Sequence, residues 1–319
     1  RGGRQADGQG DISLALRGVE AETVGMHLPR SNSGYDQGGG VRLAPGDVPA
    51  LEAESRALII AAGKPRGMNF ETVFWDDPEL PARGFDLALI RTCWDYHERP
   101  QQFVESLEAH ERAGLRVFNS SSVVKWNARK TYLKELGASA IPTVWADRAD
   151  AHTIAQAFDT LDAADIVVKP QVGAGSRDTV RLKRNAWSEA DLIDGPKGAA
   201  MIQPFLSAIE TEGERSLFWF GGVYSHAIRK VPARGDWRAN IPGETHFVAE
   251  TPPPQAMEAA ESARARAPKE LLYVRIDLVL GDDGQWRVIE IEAIEPYLFL
   301  DFAPEGARLL VEAIAAVLG

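Results

Sequence analysis

The chain has 319 residues, of which 45% are hydrophobic and 25% are charged, a composition typical of a globular protein with a sizeable core. Its net charge of −11 argues against binding to nucleic acid or an anionic membrane, because both surfaces repel an acidic protein. The single cysteine, Cys93, excludes an intrachain disulfide and a cysteine-based zinc cluster. No apolar run is long enough for a membrane span or a signal peptide, so we expect a cytoplasmic protein.

The first forty residues carry two glycine clusters and little periodicity, which predicts an atypical, partly flexible extension over 1–40. Within it, residues 12–20 are compatible with a short helix or a strand. The apolar first strand that an α/β domain normally has is not evident before Val48.

Residues 41–121 alternate between helical and strand-like patterns, which favours an N-terminal α/β domain with a largely parallel sheet. Cys93 beside a buried strand is interpreted as a core residue rather than a nucleophile. The predicted elements are helices over 51–62 and 103–113 and strands over 70–75, 86–91 and 115–118.

The rest of the chain continues as mixed helix and strand, and we divide it into a central domain, 122–200, and a C-terminal domain, 201–319. A run of serines before Val123 predicts the N-cap of the first helix. Helices are predicted over 123–136, 151–161, 252–266 and 304–318, and strands over 143–145, 166–169, 180–182, 199–203, 214–226, 229–231, 272–280 and 286–293.

A lysine stands at the end of a buried strand in IVVKPQVGAGSRDT, residues 166–179. The glycines that follow Lys169 allow backbone N–H groups to form an anion-binding nest. An ordinary hairpin with a solvated lysine is the alternative. The segment is not a GxxxxGK[ST] P-loop, so it would hold phosphate in a different way.

Three acids share one predicted hairpin face near the C-terminus. Asp283–Gly284, between alternating apolar runs, predicts a two-residue type I′ turn. Counting outward from that turn places Asp277 opposite Glu290, and Glu292 lies on the same face because side chains repeat every two residues.

Like charges placed opposite each other in an apolar neighbourhood need compensation. A divalent cation held by oxygen ligands, such as magnesium, would supply it. The alternative is a solvated face whose acids keep a sheet edge soluble. The hairpin alone does not decide between these two interpretations.

Basic residues suited to phosphate binding occur elsewhere in the chain. Lys130 lies on the helix predicted over 123–136, Arg238 lies in GDWRAN, and Arg229–Lys230 follows a strand. Each of them alone is more typical of a surface residue than of a ligand.

Taken in order, these features resemble the ATP-grasp ligases of the glutathione-synthetase-like type. The segments that carry the resemblance cover roughly residues 119–300. They are Lys130, VVKP with Lys169, the loop 173–179, MIQPFL with Gln203, GERS with Glu214, RK…GDWRAN, RIDLV with Asp277, and EIE with Glu290 and Glu292. Residues 75–96 and 294–300 resemble the branch that includes the cyclo-ligase closing the ring of cycloserine.

The resemblance implies an ATP-grasp fold, an α/β (α+β) architecture in which two sheet-containing domains clamp ATP behind an N-terminal α/β domain. It also implies ATP and two Mg²⁺ ions as cofactors. The implied roles are Lys130 and Lys169 on the α- and β-phosphates, Gly173, Gly175 and Ser176 as a lid over the γ-phosphate, Gln203 and Phe205 at adenine, Glu214 at ribose, Asp277, Glu290 and Glu292 on magnesium, and Arg238 with Lys169 in catalysis.

Substrate contacts are predicted from position and from the same resemblance. Asp95 and Tyr96 follow a strand at its carboxyl end, where α/β domains usually bind ligands. Arg229 and Asn240 flank the segment that carries Arg238. His226 is interpreted as a structural histidine, although a substrate contact is the alternative.

The family's usual metal motif is Glu-x-Asn, and here the third position is Glu292. That departure keeps an ATP-binding regulatory protein without turnover open as an alternative. A kinase is a second alternative, because some kinases share the fold.

The favoured function is a ligase that phosphorylates a small carboxylate and lets an amine, from a second molecule or from the same one, attack the acyl phosphate. The partners would be small-molecule substrates and, in a homodimer, a second copy of the chain.

Overall fold

The computed structural model describes residues 11–18, 41–42, 47–93, 96, 98–173, 177–239 and 245–319, with side chains from residue 53 onward. The strands in chain order are β1 (Asp11–Gly18), β2 (Val41–Arg42), β3 (Met68–Val73), β4 (Leu87–Cys93), β5 (Val117–Phe118), β6 (Val144–Ala146), β7 (Asp165–Pro170), β8 (Val180–Lys183), β9 (Ala200–Pro204), β10 (Glu214–Phe220), β11 (Val223–Val231), β12 (His246–Glu250), β13 (Tyr273–Leu280) and β14 (Trp286–Glu292). The α-helices are α1 (Asp47–Gly63), α2 (Pro100–Arg112), α3 (Ser121–Asn127), α4 (Ala151–Leu161), α5 (Pro254–Arg264) and α6 (Glu305–Leu318).

The N-terminal sheet has the order β3-β1-β4-β5. Strand β1, at Asp11–Gly18, supplies a first strand that was not expected before Val48, and of the two alternatives given for residues 12–20 it is the strand that forms. The sheet is mixed rather than largely parallel, because β1 is antiparallel to both of its neighbours and only β4 and β5 pair in parallel.

The central sheet, with the order β6-β9-β7-β8, is antiparallel throughout and is called the lid sheet below. Helix α4 covers one of its faces by packing Ile154 and Phe158 against buried strand residues. Asp150 caps this helix by accepting from the Thr153 N–H. Because β9 belongs to this sheet, the lid sheet extends beyond the predicted boundary at residue 200.

The C-terminal sheet has the order β14-β13-β10-β11-β12-β2. Helix α6 packs on one face of it together with α1, and α5 packs on the other. Two of its strands differ from the sequence analysis: β12 is not predicted there, and β2 is assigned to the N-terminal domain. None of the helices in the described ranges is long and apolar enough to cross a membrane.

The helix predicted over 123–136 is broken into two parts. Helix α3 ends at Asn127, and a 3₁₀ segment follows over Lys130–Ser139. Its N-cap is confirmed, because the Ser120 Oγ accepts from the Val123 N–H. Arg129 adopts an extended conformation that interrupts the helix, and Lys130 therefore begins the 3₁₀ segment instead of lying mid-helix.

The turn of the C-terminal hairpin differs from the predicted type I′ turn. Its loop has three residues, Asp282–Gly284, because the Gly281 N–H donates to the Gln285 carbonyl at 2.8 Å. Gly284 has a φ of 76°, the left-handed conformation that closes such a loop. The longer loop displaces the ladder by one residue from the predicted register.

A β-bulge in β14 then cancels that displacement. Leu278 pairs with Val288, whereas the next residue, Asp277, pairs with Glu290, so Ile289 is the extra residue. The predicted pairing of Asp277 with Glu290 is therefore correct, although neither the turn nor the intervening register is as predicted.

Candidate active site

A cleft between the lid sheet and the C-terminal sheet collects most of the predicted site residues. Its other walls are apolar side chains from both sheets, including Ile141, Val167 and Ile289. The predicted residues that line it are Lys130, Lys169, Gly173, Gln203, Phe205, Glu214, Arg238, Asp277, Glu290 and Glu292.

Three carboxylates meet at one end of the cleft. Asp277, Glu290 and Glu292 each place an oxygen within 4.8 Å of the others. Asp277 is buried on β13, and the two glutamates are half-buried on β14. The donor set consists of hard oxygen ligands concentrated on one side, so these residues fit a magnesium ion.

Arg275 lies among these acids. Its Nη2 is 2.8 Å from Asp277 Oδ2 and also contacts Glu292 Oε1 across the strand pair. Burial disfavours the charged guanidinium, but Asp277 and Glu292 outweigh burial and raise the pKa of Arg275. This arginine therefore holds a fixed positive charge beside the acids.

Lys230 provides a second buried cation behind the acids. Its Nζ lies 2.6 Å from Glu214 Oε1 and 3.6 Å from Asp277 Oδ2, and its side chain is only 1% exposed. The Ser216 Oγ donates to Asp277 Oδ1 at 2.5 Å. Burial raises the pKa of Glu214 although Lys230 opposes that shift.

Asp277 and Glu292 differ in how the protein stabilises their ionised forms. Burial disfavours the ionised form of Asp277, but Arg275 and Lys230 outweigh it and lower its pKa to about 2. Burial raises the pKa of Glu292 to about 7, with Arg275 opposing the shift and Glu290 adding to it. The negative charge is thus incompletely balanced by the chain itself, as a cation-binding site requires.

Lys130 bridges the two sides of the cleft. Its Nζ donates to the Gly173 carbonyl at 2.8 Å and forms an ion pair with Glu290. The side chain is 15% exposed, so its ammonium remains accessible from the cleft. A phosphate oxygen placed here would meet a lysine already held by the glycine loop and by β14.

Lys169, at the end of β7, is held by a neutral partner. Its Nζ donates to Gln203 Oε1 at 3.1 Å, and the Gln203 Nε2 donates to Thr143 Oγ1 at 3.0 Å. Burial lowers the pKa of Lys169, and Glu290 opposes that shift. The side chain of Gln203 is therefore engaged with this lysine, which leaves backbone groups as the polar surface of the hinge, the name used below for residues 203–206.

An aromatic pair lines the hinge end of the cleft. The rings of Phe205 and Trp237 lie edge to face, with centroids 6.2 Å apart. The Arg181 guanidinium stacks on Phe205 at 3.4 Å and pairs with Asp165 at 2.6 Å and with Glu210 at 2.7 Å. One face of Phe205 is thus covered by protein.

Arg238 lies in the cleft on the loop after β11. Its Nη2 is 2.8 Å from Asp236 Oδ2, and Asp236 Oδ1 accepts from the backbone N–H groups of Trp237 and Arg238. The hydrogen bonds from Arg238 lower the pKa of Asp236 to about 2. The arginine is 43% exposed, so it faces the open side of the cleft.

Two of the predicted substrate residues lie away from the cleft lining. Tyr96 is buried in the N-terminal core, where its ring packs on Phe103 at 5.5 Å. Arg229 lies on β11, with its Nε 3.5 Å from Glu250 Oε2. The remaining predicted residues, which are Asp95, Gly175, Ser176 and Asn240, lie outside the described residues.

The structural interpretations of Cys93 and His226 agree with their surroundings. Cys93 is fully buried. His226 stacks on Phe218 with ring centroids 4.3 Å apart, and its Nε2 is 2.9 Å from the Leu298 carbonyl. Burial lowers the pKa of His226 to about 4, so its imidazole is neutral at physiological pH.

Sequence reasoning missed two residues that line the cleft, Arg177 and Trp237, and the buried Arg275 beside the acids. Arg275 had a usable signal, because it stands two residues before Asp277 and so shares its face of the strand. Arg177 and Trp237 lie on loops that line the cleft, and no periodic pattern identifies residues of that kind.

Known protein families match the N-terminal region of the chain and the larger region that follows it. Residues 43–119 match the family described as "D-cycloserine synthetase DcsG, N-terminal domain", and residues 133–297 match "Prokaryotic glutathione synthetase, ATP-grasp domain". The cycloserine biosynthesis protein DcsG of Streptomyces lavendulae is 30% identical over 282 residues, which cover 81% of this chain and 91% of that protein. The glutathione synthetase of Ralstonia nicotianae is 24% identical and covers 76% of this chain and 75% of its own length.

Solved structures show the same relationship. The crystal structure of D-cycloserine synthetase DcsG superposes with a TM-score of 0.74 and 27% identity, covering 85% of this chain and 96% of that one. The VanG D-Ala:D-Ser ligase from Enterococcus faecalis shares the fold, with a TM-score of 0.57 at 11% identity over 76% of this chain and 78% of its own. The chain thus belongs to the ATP-grasp ligases of the prokaryotic glutathione synthetase type, ATP-dependent enzymes that form carbon–nitrogen bonds.

Proposed function

We propose that the protein activates the carboxylate of a small, amino-acid-like substrate as an acyl phosphate and closes a ring by attack of a nitrogen of the same molecule. The observation that carries the proposal is the likeness to D-cycloserine synthetase, which extends over the N-terminal domain as well as the ATP-grasp region. The N-terminal domain matters because residues 43–119 match the family described for the N-terminal domain of that synthetase.

The chemistry has two steps. A carboxylate oxygen attacks the γ-phosphorus of ATP, the bond to the β-phosphate oxygen breaks, and ADP leaves. The nitrogen then attacks the carbonyl carbon, the bond from that carbon to the phosphate oxygen breaks, and the nitrogen loses a proton as phosphate departs. Neither step needs a nucleophile from the protein, so positioning and charge neutralisation are the contributions required of the chain.

Different residues along the cleft would bind different parts of ATP. Lys130 and Lys169 would hold the α- and β-phosphates, and the hinge around Gln203 and Phe205 would meet the base. Glu214, at the cleft wall beside Lys230, would meet the ribose hydroxyls. The two lysines differ in partner, since one is ion-paired and the other bonds an amide.

Asp277, Glu290 and Glu292 would hold magnesium, with two ions as the proposed number. Bound there, the metal would neutralise charge on the transferred phosphoryl group. The chain's own part is to orient the carboxylates, and Arg275 and Lys230 favour the ionised form of Asp277 through the contacts described above.

Arg238 would steady the transferred phosphate and the acyl phosphate from the open side of the cleft. Lys169 would assist by holding the phosphate chain while the bond to ADP breaks. Asp95, Tyr96, Arg229 and Asn240 remain predictions for the substrate site, as do the domain boundaries at 41, 122 and 201.

The test is single-substrate turnover. The purified protein is given Mg-ATP and one amino acid at a time, with ADP and phosphate measured enzymatically and products identified by mass spectrometry. The useful probes are both enantiomers of 2,4-diaminobutyrate and of O-aminoserine, whose terminal nitrogen lies four bonds from the carboxylate carbon and can form a five-membered ring.

Ring closure predicts ADP release with one substrate alone and a product lighter than that substrate by one water. Release only when a second amine is added would replace the cyclisation with intermolecular ligation. A phosphorylated product without ring or amide formation would identify a kinase instead. Glu290→Gln serves as the control for contaminating ATPase activity.

A further inference from the structure

One buried amide, Gln171, ties together the segments that carry the two phosphate-facing lysines. It follows Lys169–Pro170 directly and is 5% exposed. Its Nε2 donates to the carbonyls of Ala146 at 3.2 Å and Ala200 at 2.9 Å. Its Oε1 accepts from the Arg129 Nη1 at 3.2 Å. Both N–H groups and the oxygen of one side-chain amide are therefore engaged, on strands β6 and β9 and on the residue before the 3₁₀ segment.

The backbone of Gln171 repeats the same connection. Its N–H donates to the Ala199 carbonyl at 3.0 Å, and its carbonyl accepts from the Lys130 N–H at 2.8 Å. Lys130 is thus fixed through its own main chain to the residue two positions after Lys169. A buried amide with every group satisfied specifies one geometry, because any shift leaves a polar atom without a partner.

Helix α3, the 3₁₀ segment and the residues after it are hydrogen-bonded in turn to the acid-bearing strand β14. The Asn127 Nδ2 donates to the Ile291 carbonyl at 2.7 Å, and the Tyr132 hydroxyl donates to the same carbonyl at 2.8 Å. Farther along, the Ile141 N–H donates to the Val288 carbonyl at 3.3 Å. The lid sheet therefore meets the acid-bearing strand through the segment that Gln171 holds.

We infer that Gln171 is a positioning residue for nucleotide phosphates, which sets the distance between the Lys130 and Lys169 ammonium groups by joining their two segments. The inference rests on the proposed function of these lysines. Gln171 itself does not line the cleft, so it acts through the lysines rather than on the substrate.

The test compares Gln171→Leu with wild type and with Val168→Ala. Val168 is a fully buried residue of β7, the strand that Gln171 follows, and its truncation weakens the lid sheet without removing a polar group. Binding of Mg-AMP-PNP and of adenosine is measured by calorimetry, and KM for ATP and for the amino acid by turnover. Stability is measured by urea unfolding.

Gln171→Leu is expected to weaken AMP-PNP binding and raise KM for ATP about tenfold, with adenosine binding and KM for the amino acid within about twofold of wild type. Val168→Ala is expected to lower the free energy of unfolding and to leave the affinity for AMP-PNP and the KM for ATP unchanged. Equal nucleotide effects in both variants, or none in Gln171→Leu, would overturn the inference.

A second variant keeps the test decisive if Gln171→Leu does not fold. Arg129 is exposed, so Arg129→Met leaves the core intact and removes only the bond to Gln171 Oε1. A rise of about threefold in KM for ATP is expected, and an unchanged KM would count against the inference. Wild-type protein that fails to bind Mg-AMP-PNP would instead overturn the proposed function.

Discussion

The two walls of the cleft hold their charges in different ways. On the C-terminal sheet, charges are held by opposite charges: Lys230 by Glu214 and Asp277, and Arg275 by Asp277 and Glu292. On the lid sheet, Lys169 is held by the amide of Gln203.

This difference has consequences for both stability and function. A buried charge that loses its charged partner destabilises the fold, because desolvation is no longer compensated. A neutral partner contributes less to stability but constrains direction. We therefore expect changes on the C-terminal wall to affect unfolding strongly and changes on the lid wall to affect ATP use with little loss of stability.

The largest loss of stability is expected from Lys230→Met, on the C-terminal wall. The change leaves Glu214 buried without its cation, and we expect the free energy of unfolding to fall by about 3–5 kcal/mol. Urea unfolding at pH 7 measures it. Adding Glu214→Gln should recover part of the loss, since the orphaned charge is then removed. A loss below about 1 kcal/mol in the single variant would contradict the buried-pair description.

Glu290→Gln separates charge for binding from charge for stability. The Glu290 side chain is 24% exposed, and its removal also relieves repulsion with Glu292, so we expect stability to change by less than about 1 kcal/mol. ADP release should nevertheless fall by about 100-fold or more, because a magnesium ligand is lost. Calorimetry with Mg-AMP-PNP provides the binding measurement. Full activity in this variant would remove Glu290 from the metal site.

His226 is a buried titratable group of the C-terminal sheet that is kept neutral instead of being paired with a charge. Its effect on stability should therefore depend on pH. Its pKa of about 4 lies below the ordinary value of 6.5, so the unfolded state takes up the proton first as pH falls. The free energy of unfolding is therefore unaffected by this group above pH 6.5 and falls progressively as the pH is lowered toward 4.

Between pH 7.5 and pH 5, wild type should therefore lose about 2 kcal/mol relative to His226→Gln. Urea unfolding of both proteins across this range measures the difference, in which the contributions of the carboxylates cancel. Parallel pH profiles of wild type and variant would show that His226 has an ordinary pKa.

The smallest expected effect comes from the lid wall. Gln203→Leu removes the acceptor of Lys169, and we expect KM for ATP to rise about fivefold, which corresponds to about 1 kcal/mol. Thr143→Val keeps the Lys169–Gln203 hydrogen bond and removes those of the Thr143 hydroxyl with Gln203 Nε2 and the Ile141 carbonyl. It is the matched control and should change KM less. An effect on unfolding as large as that of Lys230→Met would erase the distinction between the two walls.

The acid cluster illustrates how far local sequence carries. Asp277, Glu290 and Glu292 are predictable because strand periodicity and a hairpin turn place residues on one face. The Asp277–Glu290 pair is correct only because a three-residue loop and a bulge at Ile289 offset each other. Turn length and bulges depend on packing against neighbouring strands, which the hairpin's own residues do not specify.

The sequence alone was enough to predict most strands and helices, the lysine at the end of β7, and the three acids, because these follow from periodicity and from residue chemistry. Tertiary packing alone brings together partners that are distant in the chain. Lys130 and Glu290 are separated by 160 residues, and Gln171 contacts Arg129 across 42. Such pairs form when sheets from different parts of the chain pack together, and no local pattern records that packing.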